Sequence, residues 1–427
     1  MSNAVVIKPS FIKNFLAGIL GNILEHYDNA LYALLVPFLS PLFFTDLPYV
    51  TGLIVAYGIQ VIGILTRPLG ALVFGYIGDR YGRKYALSMT ITGMAIATVL
   101  MGCLPTYANI GNTAPLFLLL ARALQNFFVG GETKGGAIFI LEHSKISWRG
   151  FLSSIYDSSS IIGVLFASGL VTLFAHWNIV ETHWRWLFWL GGCSGVLGIS
   201  VRWICDETLD YQRESMNPLG GLSTLKANRK AVFLIIFAAG FSYVTYAIPF
   251  TLMNGFLPLI SSVNKTTALE MNTSLLCLDV LLLPIFGFLT RWISGAKLMR
   301  IAALSLAVLC IPLFFLLKDA SIAAAIFVRS TIIILGVAFA APFHQWTLDL
   351  VPVKDRYLVT AFATSIGSQL IGSPCAAICL WLYQGTGWIL APAVYLFIAA
   401  VGAFLALSKS NKKLPDTTSN TSFSYGE

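Results

Sequence analysis

The chain has 427 residues, 57% of them hydrophobic and only 11% charged, with a net charge of +8; its mean hydropathy is +0.79. Soluble domains carry about 25% charged residues, so this sequence cannot cover a soluble enzyme's surface, and disorder, a collagen-like fibre and a small disulfide scaffold are excluded as well. What remains is a polytopic membrane protein, a class in which glycine is frequent, and the chain has 36 glycines.

Crossing a bilayer core takes about 20 mostly apolar residues. Stretches of that kind stand at 15–44, 51–77, 85–104, 115–141, 151–174 and 186–204, then at 231–259, 272–289, 298–317, 322–343, 358–383 and 388–407. The predicted fold is an all-α membrane protein with twelve transmembrane helices. Its N-terminal half (1–205) and C-terminal half (231–407) hold six helices each, joined by a hydrophilic loop (206–230). The polar tail 408–427 is expected to be disordered. No cleavable leader is expected, because the first ten residues carry a single cation, Lys8, and the first apolar stretch is long and interrupted by charge.

Orientation follows from the 27 Lys and Arg residues. With both termini in the cytoplasm, Arg185, Lys265 and Lys318 lie outside, and Arg67, Arg122, Lys134 and Arg329 lie within spans. All the others fall inside, a strong positive-inside pattern. The expected location is the plasma (inner) membrane. The seven cysteines form no CxxC pair and the five histidines show no metal spacing, so no metal is expected.

In chain order, helix 1 carries Gly21, Asn22, Glu25, His26, Tyr27 and Asp28. Glu25 and Asp28 are three residues apart and share a helix face. Each charge at a helix centre costs about 2.5–3.5 kcal/mol. The pair must face a wet cavity, meet a cation or hold a proton, which makes it a natural proton carrier. Alternatively it is a hydrated polar hinge at the end of a tilted helix. After helix 2 comes Gly75, Gly78, Asp79, Arg80, Gly82, Arg83 and Lys84, a dense charged loop that can lock one conformation and release another. A loop that merely fixes topology needs no such spacing. Helix 4 supplies Arg122, Gln125, Gly130, Gly131, Glu132 and Lys134. Arg122 and Glu132 are about 15 Å apart along a helix and need partners elsewhere; the helix 1 carboxylates are the expected partners of Arg122, as coupling groups or as a static salt bridge.

Further on, Asp157, Asp279 and Arg329 complete a set of buried charges of mixed sign, which suits a zwitterion or a carboxylate moved with a proton. Each of these charges has a structural alternative, and Arg67, beside Pro68 near the cytoplasmic end, is the readiest candidate for it. Tyr243, Tyr246 and Asn254 in helix 7 either line a cavity or pack. Trp184, Trp186 and Trp189 read as an outer aromatic belt. Asn264-Lys-Thr matches a glycosylation pattern that is frequent by chance. The halves look like a parallel repeat, with Gly75 and Gly287 in equivalent places and Arg149 and Arg356 each preceding the fifth helix of a half.

The glycine, Asp-Arg, Gly-Arg pattern of Gly75 to Arg83 resembles the signature of the major facilitator superfamily, where it is read as a cytoplasmic latch between two halves. The second copy, around Gly287 and Arg291, lacks the aspartate. Gly21, Asn22, Glu25, Tyr27 and Asp28 together with Gln125, Gly130, Gly131 and Glu132 narrow the resemblance to the metabolite:proton symporter branch, which includes proline/betaine, 2-oxoglutarate and shikimate transporters. Arg67-Pro68-Leu69-Gly70, Glu142, Arg149-Gly150-Phe151 and Asp157 also match, and Val244-Thr245-Tyr246 looks most like the proline/betaine type. His26, Asn29 and Lys134 depart from the branch pattern.

The resemblance implies two halves rocking about a midplane site lined by helices 1, 4, 7 and 10. It implies proton-coupled symport of a small zwitterionic or carboxylate metabolite, with a dicarboxylate permease as the alternative and a transport-dead sensor as a remote one. The expected binding residues are Glu25, Asp28, Arg122, Glu132, Lys134, Asp157, Tyr246 and Arg329. No enzyme activity and no cofactor beyond a coupling proton are expected. The expected partners are a small-molecule substrate and the bilayer, not nucleic acid, with the chain acting as a monomer.

Overall fold

The computed structural model describes residues 9–81, 83–131, 148–204, 218–318, 321–352 and 355–410. The described residues are helical with no strand, as expected where lipid offers no partner to backbone N–H and C=O groups. The first half contains α1 (Pro9–Phe43), α2 (49–81), α3 (Arg83–Gly102), α4 (Ala114–Gly131), α5 (Arg149–His176) and α6 (Val180–Ile204). The connecting helix Pro218–Ala227 follows. The second half contains α7 (229–260), α8 (Lys265–Leu289), α9 (Gly295–Phe315), α10 (322–350), α11 (356–386) and α12 (Ala391–Ser410). Among the described residues nine spans pass as long and apolar enough to cross a membrane, and Ser88–Gly102 in α3 is a shorter apolar helix. The architecture is the twelve-helix one read from the sequence.

Four of the helices are broken within their length. In α2 a 3-10 turn, Ile59–Ile62, separates Tyr49–Gly58 from Gly63–Tyr81. α7 contains a π turn at Ile248–Leu252, which includes Pro249, and α11 contains one at Ser368–Gly372. α10 stops at Ala340 and restarts at Phe343 after Pro342. Such breaks free backbone groups and mark functional positions in many helices.

The repeat is visible in the packing. Gly163 of α5 sits on the backbone carbonyl of Ile23 in α1, and Gly367 of α11 sits on the carbonyl of Ile236 in α7; a methyl at either place would collide with that oxygen. The fifth helix of each half thus crosses the first at a glycine, where only a missing side chain lets the backbones meet. Gly70 of α2 and Gly130 of α4 do the same reciprocally, Gly70 against Phe127 and Gly130 against Arg67. Between the halves, α5 lies along α8 and α2 along α11.

One expectation about the ends changes. Trp184 is not in an outer belt: it is 1% exposed, packed edge-on against Phe43 and Phe188 with Arg185 over its ring. Trp186 and Trp189 remain exposed. Asn264 caps α8, its side chain accepting from the Thr267 N–H at 2.7 Å.

Candidate functional site

The polar side chains of the core gather in three places. The first lies inside the N-terminal half. Asp28 is 1% exposed, and both its carboxylate oxygens are buried with no hydrogen-bond partner. It points toward α6, where a methyl on Gly191 would strike it. Gln125 Nε2, beside it, donates to Thr98 Oγ1 of α3 at 3.0 Å. Arg122 donates to Gln125 Oε1 and, at 3.2 Å, to Asn29 Oδ1; its guanidinium stacks 4.8 Å from the centre of the Tyr32 ring. The expected pairing of Arg122 with a helix 1 carboxylate is therefore corrected for Asp28. Arg122 stands level with Asn29 and Tyr32 on α1, whereas Asp28 turns to the α3–α6 side, so amide and aromatic groups meet the cation instead, with Arg122 Nε left buried without an acceptor. An ionised carboxylate left without a donor costs several kcal/mol, and a proton removes that cost.

The second place lies between the halves. Arg67 Nε donates to Asn126 Oδ1 at 2.9 Å. Its guanidinium is within electrostatic reach of Glu25 on α1, of Tyr243 on α7 and of Arg122. From α11, Gln369 Oε1 lies against Gly63 of α2, at a spot that also borders Asn126 Oδ1. The π turn that carries Gln369 also sets Gly372 under the Tyr243 ring. Gln369 Oε1 accepts from Ser373 Oγ at 3.1 Å, but Gln369 Nε2 is buried without an acceptor, as is Nε2 of Gln60 in the α2 turn. Helices α1, α2, α4, α7 and α11 thus present a guanidinium, a carboxylate, a phenol and unmatched amide donors to one another. Arg67 is a member of this cluster. Asn126 and Gln369 were not singled out from the sequence; the signal was there, as isolated amides inside apolar spans.

The third place joins α5 to the C-terminal half. His344 Nε2 of α10 meets Asp157 Oδ1 of α5 at 3.1 Å. Asp279 of α8 is 4% exposed and lies within electrostatic reach of Asp157 and Tyr246. Tyr246 stacks on Phe250. Arg329 belongs to none of the three. It is fully buried within the C-terminal half, donating to Ala268 O at 3.2 Å and Asn272 Oδ1 at 2.7 Å on α8. Asn272 in turn donates to Ser168 Oγ of α5 at 3.1 Å.

Glu132 and Lys134 lie outside the described residues. Of the charged loop, the backbone of Gly75 and Gly78 to Arg80 ends α2 and that of Arg83 begins α3. Gly82, and the side chains of Asp79, Arg80 and Arg83, lie outside what is described.

Comparison with known proteins gives a consistent picture. Residues 13–219 match the family model described as sugar (and other) transporter. The putative proline/betaine transporter of Staphylococcus haemolyticus is 30% identical over 92% of this chain and 86% of its own length. The proline/betaine transporter of Salmonella typhimurium is 29% identical over 91% of this chain and 81% of its own. The glycine betaine/proline/ectoine/pipecolic acid transporter of Dickeya dadantii is 28% identical over 95% and 85%. Among solved structures, a D-xylose–proton symporter superposes with a TM-score of 0.70 at 16% identity, covering 95% of this chain and 98% of that one. A partially occluded inward-open xylose transporter from E. coli gives 0.71, also at 16%, covering 96% and 99%.

Proposed function

The chain belongs to the metabolite:proton symporter branch of the major facilitator superfamily, a multi-pass secondary transporter and not an enzyme, and from that premise we propose that it carries a small zwitterion, of the proline or betaine kind, into the cell together with a proton. The observation that carries the reading is the cluster between the halves. Arg67, held by Asn126, offers a fork for a carboxylate. The buried Nε2 donor of Gln369 has no acceptor and would supply a further hydrogen bond to the same anion. Glu25 and the Tyr243 ring suit the cationic end of such a solute. The five helices that supply these groups come from both halves, so a solute here is gripped by each and released when they part.

In the proposed cycle a carboxylate of α1, or Glu132, takes a proton from outside. Solute then binds at Arg67, the halves rock, and both leave to the cytoplasm. Both termini are cytoplasmic in this scheme, the membrane is the plasma membrane, and one copy suffices. The loop from Gly75 to Arg83 latches the halves on the cytoplasmic side. One charge moved through 100 mV supplies about 2.3 kcal/mol, near fifty-fold accumulation.

A second reading has its own support. The guanidinium groups of Arg67 and Arg122 are within electrostatic reach of each other, a pairing that suits a dicarboxylate. Uptake into proteoliposomes under an imposed pH gradient, with labelled proline and with betaine and 2-oxoglutarate as competitors, decides between them. Proline uptake blocked by betaine and collapsed by a protonophore supports the zwitterion reading. Selective competition by 2-oxoglutarate favours the anion. If Glu25→Gln, Asp28→Asn and Glu132→Gln all leave proton-driven uptake unchanged, the coupling scheme is wrong.

A further inference from the structure

The cluster between α5, α8 and α10 has an unbalanced charge. Asp157 and His344 form a bridge from one half to the other, their side chains 23% and 13% exposed. Asp279, only 4% exposed, lies within electrostatic reach of Asp157. Leu275, Leu276 and Leu283 of α8 pack with Val164 of α5, Phe250 of α7 and Val337 of α10, which keeps the surroundings dry. One histidine can neutralise one carboxylate. In a dry interface the second carboxylate is left without a counter-charge.

The other titratable groups nearby do not repair this. From α7 the facing group is Tyr246, a neutral phenol. Arg329 of α10 spends its hydrogen bonds on Ala268 and Asn272, about two turns further along α8. Toward the expected cytoplasmic end, Arg149 and Arg356 face Asp349. A proton is a small cation that a single carboxylate can hold.

We propose that Asp279 is a proton-binding residue of the C-terminal half, loaded against the Asp157–His344 bridge. The step forms one O–H bond on the Asp279 carboxylate from a proton delivered by water, and no other bond changes. With His344 protonated, the trio goes from one net negative charge to none, and the halves close over it at little electrostatic cost. Separation of α10 from α5 breaks the bridge, wets Asp279 and returns the proton. This deepens the proton-coupled reading above and rests on it.

Infrared difference spectroscopy of the purified full-length protein in lipid tests the site without any solute. The wild type at neutral pH is expected to carry a carboxylic-acid C=O band that Asp279→Asn lacks, and His344→Gln is expected to move the pH at which that band disappears by about one unit or more. An Asp279→Asn spectrum that keeps the whole acid band overturns the proposal. If Asp279→Asn does not fold, the titration decides: an unmoved band in His344→Gln overturns the proposal. The transport reading fails separately, in a wild type whose uptake ignores the pH gradient.

Discussion

Arg67 and Arg329 are both arginines in mid-membrane, and their company sets their roles apart. Arg329 is fully buried and holds a backbone carbonyl and an amide of α8. Removing it strands both acceptors in a dry core, so Arg329→Ala is expected to destabilise the protein by about 3 kcal/mol or more, seen as a lowered thermal transition in detergent. Among the described residues Arg67 makes one side-chain bond, to Asn126, and is within electrostatic reach of Glu25 in its own half and of Tyr243 in the other. Arg67→Lys keeps the charge but loses the fork; it is expected to raise the KM for solute about tenfold or more with an unchanged melting temperature. A drop in melting temperature with KM intact would assign Arg67 a structural role instead. Sequence alone marked both residues as charges in apolar spans. It gave no means of telling which one also faces a group of the other half, because that depends on which helix lies opposite.

Arg67, Tyr243, His344 and Gln369 each sit on a helix with a broken hydrogen-bond ladder. The π turn Ser368–Gly372 brings Gln369 to Gly63 and Asn126. Deleting the exposed Leu370 removes the extra residue that a π turn accommodates. The expected result is a folded protein whose uptake is reduced about tenfold, since Gln369 alone turns away. Full activity would mean that the turn has no role in the site. His344 lies just past the apolar run that ends at Phe343, so hydropathy does not mark it, whereas Pro342 breaks the helix and Phe343–Leu350 resumes it. Helix crossings make a sharper stability test. Gly130→Ala must push the Arg67 backbone aside and is expected to cost about 1–3 kcal/mol. Gly169→Ala meets nothing within 4 Å and is expected to gain up to about 1 kcal/mol from helix propensity. Thermal melts of the pair check the contrast.

The halves of the whole molecule touch at both ends. On the expected outer side, Gln384 Nε2 donates to Thr51 Oγ1 at 2.8 Å, Tyr57 Oη to Thr251 O at 3.1 Å and Lys265 Nζ to Pro37 O at 3.1 Å. At the opposite side Asp157 meets His344, and Gly150 abuts Thr290 and Gln345. Rocking must break one set at a time. Thr51→Cys with Gln384→Cys, in a cysteine-free background, is expected to stop uptake when joined by a short bifunctional thiol reagent; unchanged uptake in the joined protein would rule out opening at that face. The twelve spans and the halves were legible in the sequence because a bilayer demands long apolar runs and punctuates them with cations. The site was only half legible: Glu25 and Tyr243 stood out as candidates, but which face of α1 looks toward the other half is decided by packing such as Gly163 on Ile23. The most direct measurement is equilibrium binding of the transported solute to purified wild type and Arg67→Ala. The expected result is affinity lowered by about tenfold or more, with unchanged thermal stability; equal affinity in the two proteins would contradict a substrate site between the halves.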